Sequence, residues 1–375
     1  MQNLWPPRIN GKRVKMADPL KTLLVERLGC DVPIIQTAMG WVAEPPLVIA
    51  SLQAGAFGFL GAAVMTPDEV GQKIQIIRRA TSRPFGVNFH FFQPGAEKIV
   101  ELIIANQQQV RAVSFGRGPE ARMIGRFKEA GILCLPTVGA VKHALAMQKL
   151  GVDMVTVQGG EGGGHTGSVP TTILLPQVLD SVKIPVIASG GFADGRGLVA
   201  ALAYGAIGIA MGTRFLLTKE SPVPDNIKAA YLQATTSDIV LTTKLDGLPQ
   251  RMIRSRQLAK IEQAGRLAFW LRALAAGDEL RRQNGQSWLQ MFKTVKQMVG
   301  HGKMPLRQAL MAATTPLLIQ KAMLHGDLDH GVMATGVVGG RIMDLPSCQS
   351  LVEQITQEAR ARFAALTGQN PGGLV

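Results

Sequence analysis

Cysteine is scarce, and its scarcity excludes several classes of protein at once. The three cysteines in 375 residues, Cys30, Cys134 and Cys348, share no short spacing. That rules out a disulfide-stapled scaffold and a zinc ribbon, and it fits a reducing compartment such as the cytoplasm. Aromatic residues make up only 5% of the chain, and no aromatic-interleaved RNA motif, zinc finger or helix-turn-helix signature is present. The basic N-terminus, MQNLWPPRINGKRVK, lacks the apolar stretch of a secretory signal. Its want of acids faintly resembles a mitochondrial presequence, but it reads more simply as an unstructured leader ahead of Met16. Long hydrophobic runs are also missing. The uncharged stretch between Arg196 and Arg214 is too short for a membrane span, and its glycines divide it into a helix and a buried strand.

What the chain does have is apolar material and glycine. Hydrophobic residues reach 46% against 18% charged, with 42 glycines, which suits a large-cored α/β enzyme with tight loops around a ligand. Short apolar runs recur at 33–37, 57–61, 84–89, 111–115, 132–137, 152–158, 184–189 and 207–212, each followed by a glycine or polar turn and a helical pattern. Near-continuous apolar strands alternating with helices predict a parallel sheet covered on both faces. Eight such units predict a TIM (β/α)8 barrel with an additional basic helical domain. The expected division is a flexible leader over 1–17, the barrel over 18–220, a helical insert over 221–330, and a glycine loop with a helix packing back on the barrel over 331–375.

Charge is unevenly placed. The formal net charge is +14, and the stretch Arg251–Arg307 carries twelve Lys and Arg against Glu262, Asp278 and Glu279, leaving +9 there. Either a solvated helical face or a docking surface for an anionic small molecule accounts for it, and nucleic acid ranks behind both.

Active sites of such barrels lie where the strands end. Ser189-Gly190-Gly191 and Gly212-Thr213 follow the seventh and eighth strands, the customary phosphate loops of the fold. Gln158-Gly159-Gly160-Glu161-Gly162-Gly163-Gly164-His165-Thr166-Gly167 follows the sixth. Residues 162–167 match G-x-G-x-x-G, with Asp180 downstream, but Ser168–Thr172 intervene before any helix, so the dinucleotide reading fails. His165, on a glycine loop with little to pack against, reads as an acid/base or electrophilic group. His90 could line the same face. His143, His301, His325 and His330 share no metal-ligand spacing, no metal site is expected, and no G-x-S-x-G elbow supports a serine triad.

Taken in order, Gln36-Thr37-Ala38-Met39-Gly40, the Phe85-Gly86-Val87-Asn88 strand, the Gln158–His165 loop and the two phosphate loops resemble the nitronate monooxygenase family. That family includes the FMN-dependent enoyl-acyl-carrier-protein reductases. The resemblance covers roughly residues 18–218 and resumes at the C-terminal glycine loop. It implies a TIM barrel holding FMN, with NADH or NADPH as co-substrate. Gln36, Ala38, Met39, Asn88 and Gln158 would lie around the flavin, Gly190, Gly191, Gly212 and Thr213 at its phosphate, and His165 would be catalytic. The stretches GEGGGHTGSVPTTILLPQVLD, GGFADGRGLVAALAYGAIGIAMGTRFLLT and VPDNIKAAYLQAT are similar to flavoproteins of steroid C/D-ring breakdown, which act on a bicyclic hydrindane CoA thioester. On that likeness Arg251, Arg254 and Arg256 would meet the substrate's phosphates. Nitronate oxidation, enoyl-carrier reduction and a flavin-binding module without turnover are the rival readings. The expected partner is a small molecule, with no nucleic acid, no membrane, and a homo-oligomer possible.

Overall fold

The structure is a computed structural model that describes residues 8–9, 12–13, 18–116, 120–264 and 306–368. Residues 265–305 of the expected basic helical insert lie outside the described residues. The chain divides into two compact units. The first runs to Glu161, resumes over Gly167–Pro222 and takes the chain again from Asp344; the second holds Gly162–Thr166 and the described part of Val223–Met343.

The first unit is a parallel α/β sheet. Its strands are β1 (Ile34–Gln36), β2 (Phe57–Gly61), β3 (Phe85–Asn88), β4 (Val110–Ser114), β5 (Leu133–Cys134, continued by Thr137–Val138), β6 (Val155–Gln158), β7 (Val186–Ser189) and β8 (Ile209–Met211). All eight expected apolar runs become strands. The fifth is split because Pro136 lacks the N–H a ladder needs. Its first half pairs with β4 and its second with β6, while β8 pairs with both β1 and β7. The two edges of the sheet are therefore halves of one strand, and the sheet curls around into a barrel.

Helices on the outside follow from local signals. Thr66 and Glu69 form a capping box at the start of Pro67–Ala80, with proline in the first turn. Inside, Ile35, Phe57, Phe59, Ala112, Leu133, Leu135, Met154, Ile187 and Ala210 pack together, and Leu24 and Leu28 of the helix Leu23–Leu28 join them near the strand starts. The apolar plug thus occupies the N-terminal half and leaves polar residues for the strand ends.

The leader, expected to be unstructured, carries a short antiparallel pairing of Arg8–Ile9 with Lys12–Arg13; Asn10-Gly11 between them is the sequence signature of a tight hairpin.

The second unit differs from the all-helical expectation for 221–330. Helices Asp225–Gln233, Arg256–Glu262 and Leu306–Met323 are there, but between them strands β9 (Ile239–Thr242) and β10 (Gln250–Ile253) form an antiparallel hairpin. The Asp246-Gly247 turn explains the hairpin: Gly247 adopts φ 83, which glycine tolerates. Leu245, Met252, Leu258 and Val332 form its core, and buried Tyr231 donates its hydroxyl to the Ala334 carbonyl at 2.6 Å. Among the described residues no helix is long and apolar enough to cross a membrane.

Candidate active site

At the barrel's strand ends the sheet register sets neighbours side by side. Ser189 lies opposite Gln158 on one side and Ala210 on the other, so the Gly190-Gly191 loop runs beside Gly212-Thr213. Gly190 and Gly191 adopt φ 94 and 86, conformations that side chains disfavour. A Cβ on Gly190 would lie 3.1 Å from the Gly159 carbonyl oxygen and 3.2 Å from Thr171 Oγ1. One on Gly212 would meet Thr37 Cγ2 at 3.2 Å and Met39 Sδ at 3.4 Å, which brings the β1 loop against the β8 loop. These main-chain surfaces fit a phosphate held by backbone amides.

The helix Gly195–Tyr204 does not supply those amides. Its first turn is already engaged: Asp194 accepts from the Gly197 N–H and Glu358 from the Gly195 N–H. The glycine loops are the main-chain surfaces here that fit a phosphate. Replacing Gly191 by valine forces a β-branched residue into the left-handed region, a penalty of about 1–2 kcal/mol. FMN affinity is expected to fall about tenfold or more, read by flavin fluorescence titration.

Asn88 ends β3 and donates from Nδ2 to the Ser114 carbonyl at 3.0 Å. Gln158 ends β6 and is half-buried. Ala38 and Met39 follow β1 and are likewise half-buried. Gln36 is placed differently. Its side chain is fully buried, donates to the Thr37 and Phe59 carbonyls, and approaches Gly58 on the side where Val48 of the helix Pro45–Gln53 also packs. Ile35, one residue earlier, faces the interior, so strand alternation turns Gln36 outward. Its side chain braces wall and helix, which leaves only its backbone on the cofactor side. His90 stacks on Phe92 with ring centroids 5.0 Å apart.

The glycine-rich loop after β6 is glycine-rich because backbone passes close to it. A Cβ on Gly159 would fall 2.0 Å from Thr171 Oγ1, and one on Gly163 would fall 2.7 Å from the Gly336 nitrogen. Glu161, whose role sequence reasoning missed, accepts from the Thr171 N–H at 2.8 Å and the Thr171 hydroxyl at 2.7 Å. It caps the helix Thr171–Ser181, where Pro170 stands at the N-cap without a side-chain acceptor.

His165 belongs to the second unit. Gly164–His165 pairs antiparallel with β10, Gly164 opposite Arg251 and His165 opposite Gln250. The imidazole Nε2 is 2.5 Å from Asp246 Oδ2, with the His165 side chain 50% exposed and that of Asp246 8% exposed. Burial pushes the Asp246 carboxyl upward, but the His165 hydrogen bond and charge, the nearby Gln250 amide and the Leu248 N–H outweigh it and hold the group below its ordinary value. With Nε2–H donated to a carboxylate, a neutral ring carries its lone pair on Nδ1. A histidine oriented by a buried carboxylate is the arrangement of a general base.

Of the three arginines, Arg251 is half-buried on β10, while Arg254 and Arg256 are exposed. His143 is exposed on the helix Val141–Lys149. Among the described residues no group of three or more His, Cys, Asp or Glu could hold a metal.

The sequence model described as nitronate monooxygenase matches residues 21–358. The chain belongs to the nitronate monooxygenase family. It is accordingly a flavin-dependent oxidoreductase. It is 46% identical over 344 residues, 91% of this chain and 96% of the relative, to the (3aS,4S,5R,7aS)-5-hydroxy-7a-methyl-1-oxo-octahydro-1H-indene-4-carboxyl-CoA dehydrogenase of Mycobacterium tuberculosis. The enzyme of the same name from Rhodococcus jostii is 42% identical over 347 residues, covering 92% of this chain and 98% of the relative. Among solved structures, FabK from Thermotoga maritima superposes with a TM-score of 0.76 at 30% identity, covering 93% of this chain and 99% of that one.

Proposed function

We propose that this nitronate monooxygenase family member is an FMN-dependent dehydrogenase of a fused-bicyclic carboxyl-CoA thioester. The observation that carries the reading is the identity of 46% and 42% to two dehydrogenases of that substrate class over more than nine-tenths of the chain. The oriented His165–Asp246 pair supplies the chemistry the reading needs. Bound FMN would contribute a two-electron acceptor. Gly190, Gly191, Gly212 and Thr213 would hold its phosphate, and Ala38, Met39, Asn88 and Gln158 would line its flavin end.

The chain's own part is proton handling. In the thioester named for the relatives, the ring carbon bearing the carboxyl-CoA has a hydrogen α to the carbonyl. His165 Nδ1 takes that proton, and Asp246 stabilises the imidazolium that results. Loss of a hydride from a neighbouring ring carbon then leaves a C=C conjugated to the thioester. The electrons taken from the thioester must leave again, and we infer that NAD+ or NADP+ would accept them and depart as NADH or NADPH. On this reading the barrel unit serves the cofactor, while the mixed unit that holds His165 and the β9–β10 hairpin serves the substrate. The protein works in the cytoplasm.

The test is anaerobic mixing of the flavin-loaded protein with three compounds: a hydroxylated hydrindane carboxyl-CoA, a short-chain nitronate and NADH. Rapid bleaching by the bicyclic thioester is expected. Bleaching by the nitronate alone would overturn the reading in favour of nitronate oxidation.

The +9 excess of Arg251–Arg307 assigns this stretch, on the same reading, to the phosphates of coenzyme A. Charge-assisted contacts at exposed phosphates are screened, with a Debye length of about 8 Å at physiological salt. The KM for a CoA thioester should rise with salt, and a phosphate-free truncated thioester should scarcely respond. Neutralising Arg251, Arg254 and Arg256 together should reproduce that rise without altering flavin content. Equal salt responses for the two thioesters would remove the phosphate assignment.

A further inference from the structure

Glu161 is the last residue of the barrel unit before the chain crosses into the second unit with His165, and one oxygen of its carboxylate binds Thr171 twice. Oε2 takes both the N–H and the hydroxyl of Thr171, at 2.8 and 2.7 Å. The same Thr171 hydroxyl lies 3.0 Å from the Gly190 carbonyl. Gly159, at the start of the loop, donates its N–H to the Ser189 carbonyl at 3.1 Å. It also presses so closely on Thr171 that a Cβ would lie 2.5 Å from the Thr171 Cα. Gly191 faces the Glu161 stem, its ideal Cβ being 3.5 Å from Glu161 Cβ. The base of the β6 loop, the start of the helix Thr171–Ser181 and the Gly190-Gly191 turn are thus tied through one carboxylate and one hydroxyl.

We propose that Glu161 is a positioning residue that latches the β6 loop to the FMN phosphate cradle, so that cradle geometry and the anchorage of the His165-bearing loop are set together. The latch needs acceptor oxygens, not negative charge. Both Thr171 donors converge on a single oxygen, and an amide oxygen with two lone pairs can receive both. The cradle part of the inference rests on the FMN reading above; the latch itself does not.

Three variants test it: Glu161→Ala, Glu161→Gln and Thr171→Val. Readouts are FMN affinity by fluorescence titration, amide hydrogen exchange of residues 159–171 in the flavin-free protein, and kcat at saturating FMN. Losing the acceptor is expected to weaken FMN binding in Glu161→Ala by about tenfold or more. The same variant should speed exchange in the loop and lower kcat about tenfold even when flavin-saturated. Glu161→Gln should stay within about threefold of wild type in each readout, since the amide oxygen restores the acceptor. Thr171→Val keeps the N–H and loses the hydroxyl, so it should fall between them.

Unchanged FMN affinity and unchanged exchange in Glu161→Ala would overturn the latch. So would a Glu161→Gln variant that binds FMN normally yet loses turnover as completely as the alanine variant, because the carboxylate would then be acting chemically. A wild-type protein that takes up no FMN would instead remove the cofactor reading, and loop exchange in the flavin-free variants would still decide the latch.

Discussion

Replacing His165 by alanine is expected to slow substrate turnover by about 10²–10⁴-fold, the usual contribution of a general acid or base, while FMN stays bound. The cofactor should be indifferent if, as proposed, its cradle is main chain: Gly190 and Gly191 at positive φ beside Gly212 and Thr213. Packing should suffer little, since the His165 side chain is half exposed. The group left behind is Asp246, buried and without its histidine donor, so some loss of stability accompanies the loss of activity. A His165→Gln variant separates the two effects. Its amide can still donate to Asp246 but cannot take a proton from carbon, so it should recover stability and leave turnover as low as in the alanine variant. Stopped-flow bleaching of the bound flavin by substrate reads the chemical step, and thermal unfolding reads the rest. Near-normal bleaching in His165→Ala with an intact flavin spectrum would exclude the histidine from catalysis.

How much of this was legible in the sequence depends on which interactions are local. The barrel strands were, because a strand buried on both faces must be apolar throughout, and the runs at 57–61 and 184–189 became β2 and β7 almost residue for residue. The turns after β7 and β8 were legible for a similar reason: paired glycines directly after a strand mark a backbone that needs positive φ, as Gly190 and Gly191 have. The side-chain placement of Gln36 was not legible, because the motif counts the residue while strand alternation beside Ile35 decides which way it turns. The hairpin β9–β10 was missed, although TTKLDGLPQ carries an Asp-Gly turn signal, because the surrounding basic and helical residues dominate the composition. Asp246 went with it. Its partner is His165, 81 residues earlier, and no spacing rule links positions that meet only after an antiparallel pairing. Glu161 stood in plain view between glycines, yet its role depends on Thr171 folding back, which chain order alone does not reveal.

Asp246→Asn is expected to lower kcat by about 10²-fold or more, because removing the carboxylate behind a catalytic histidine can cost up to about 10⁴-fold through the wrong tautomer. Asparagine fills the same space at the base of the hairpin turn, where Asp246 Oδ1 accepts the Leu248 N–H at 3.0 Å. Its amide, however, can present an N–H to Nε2, which would place the ring proton on Nδ1, the nitrogen assigned to the substrate. Stability should carry a separate signature. The Asp246 carboxyl is held below its ordinary value in the folded protein despite burial, chiefly by the His165 hydrogen bond with help from Gln250 and Leu248. A depressed carboxyl contributes stability above the unfolded-state value and loses it as the pH falls through the folded-state value. The gap in urea midpoint between wild type and Asp246→Asn should therefore be widest near neutrality and narrow as the pH drops below the ordinary carboxylate range. A constant gap down to pH values well below that range would mean that Asp246 stabilises the turn by shape alone. Unchanged kcat in the asparagine variant would mean that His165 needs no orienting carboxylate. If kcat falls while the stability gap closes in acid, the same 2.5 Å contact both orients the histidine and holds the hairpin beneath it.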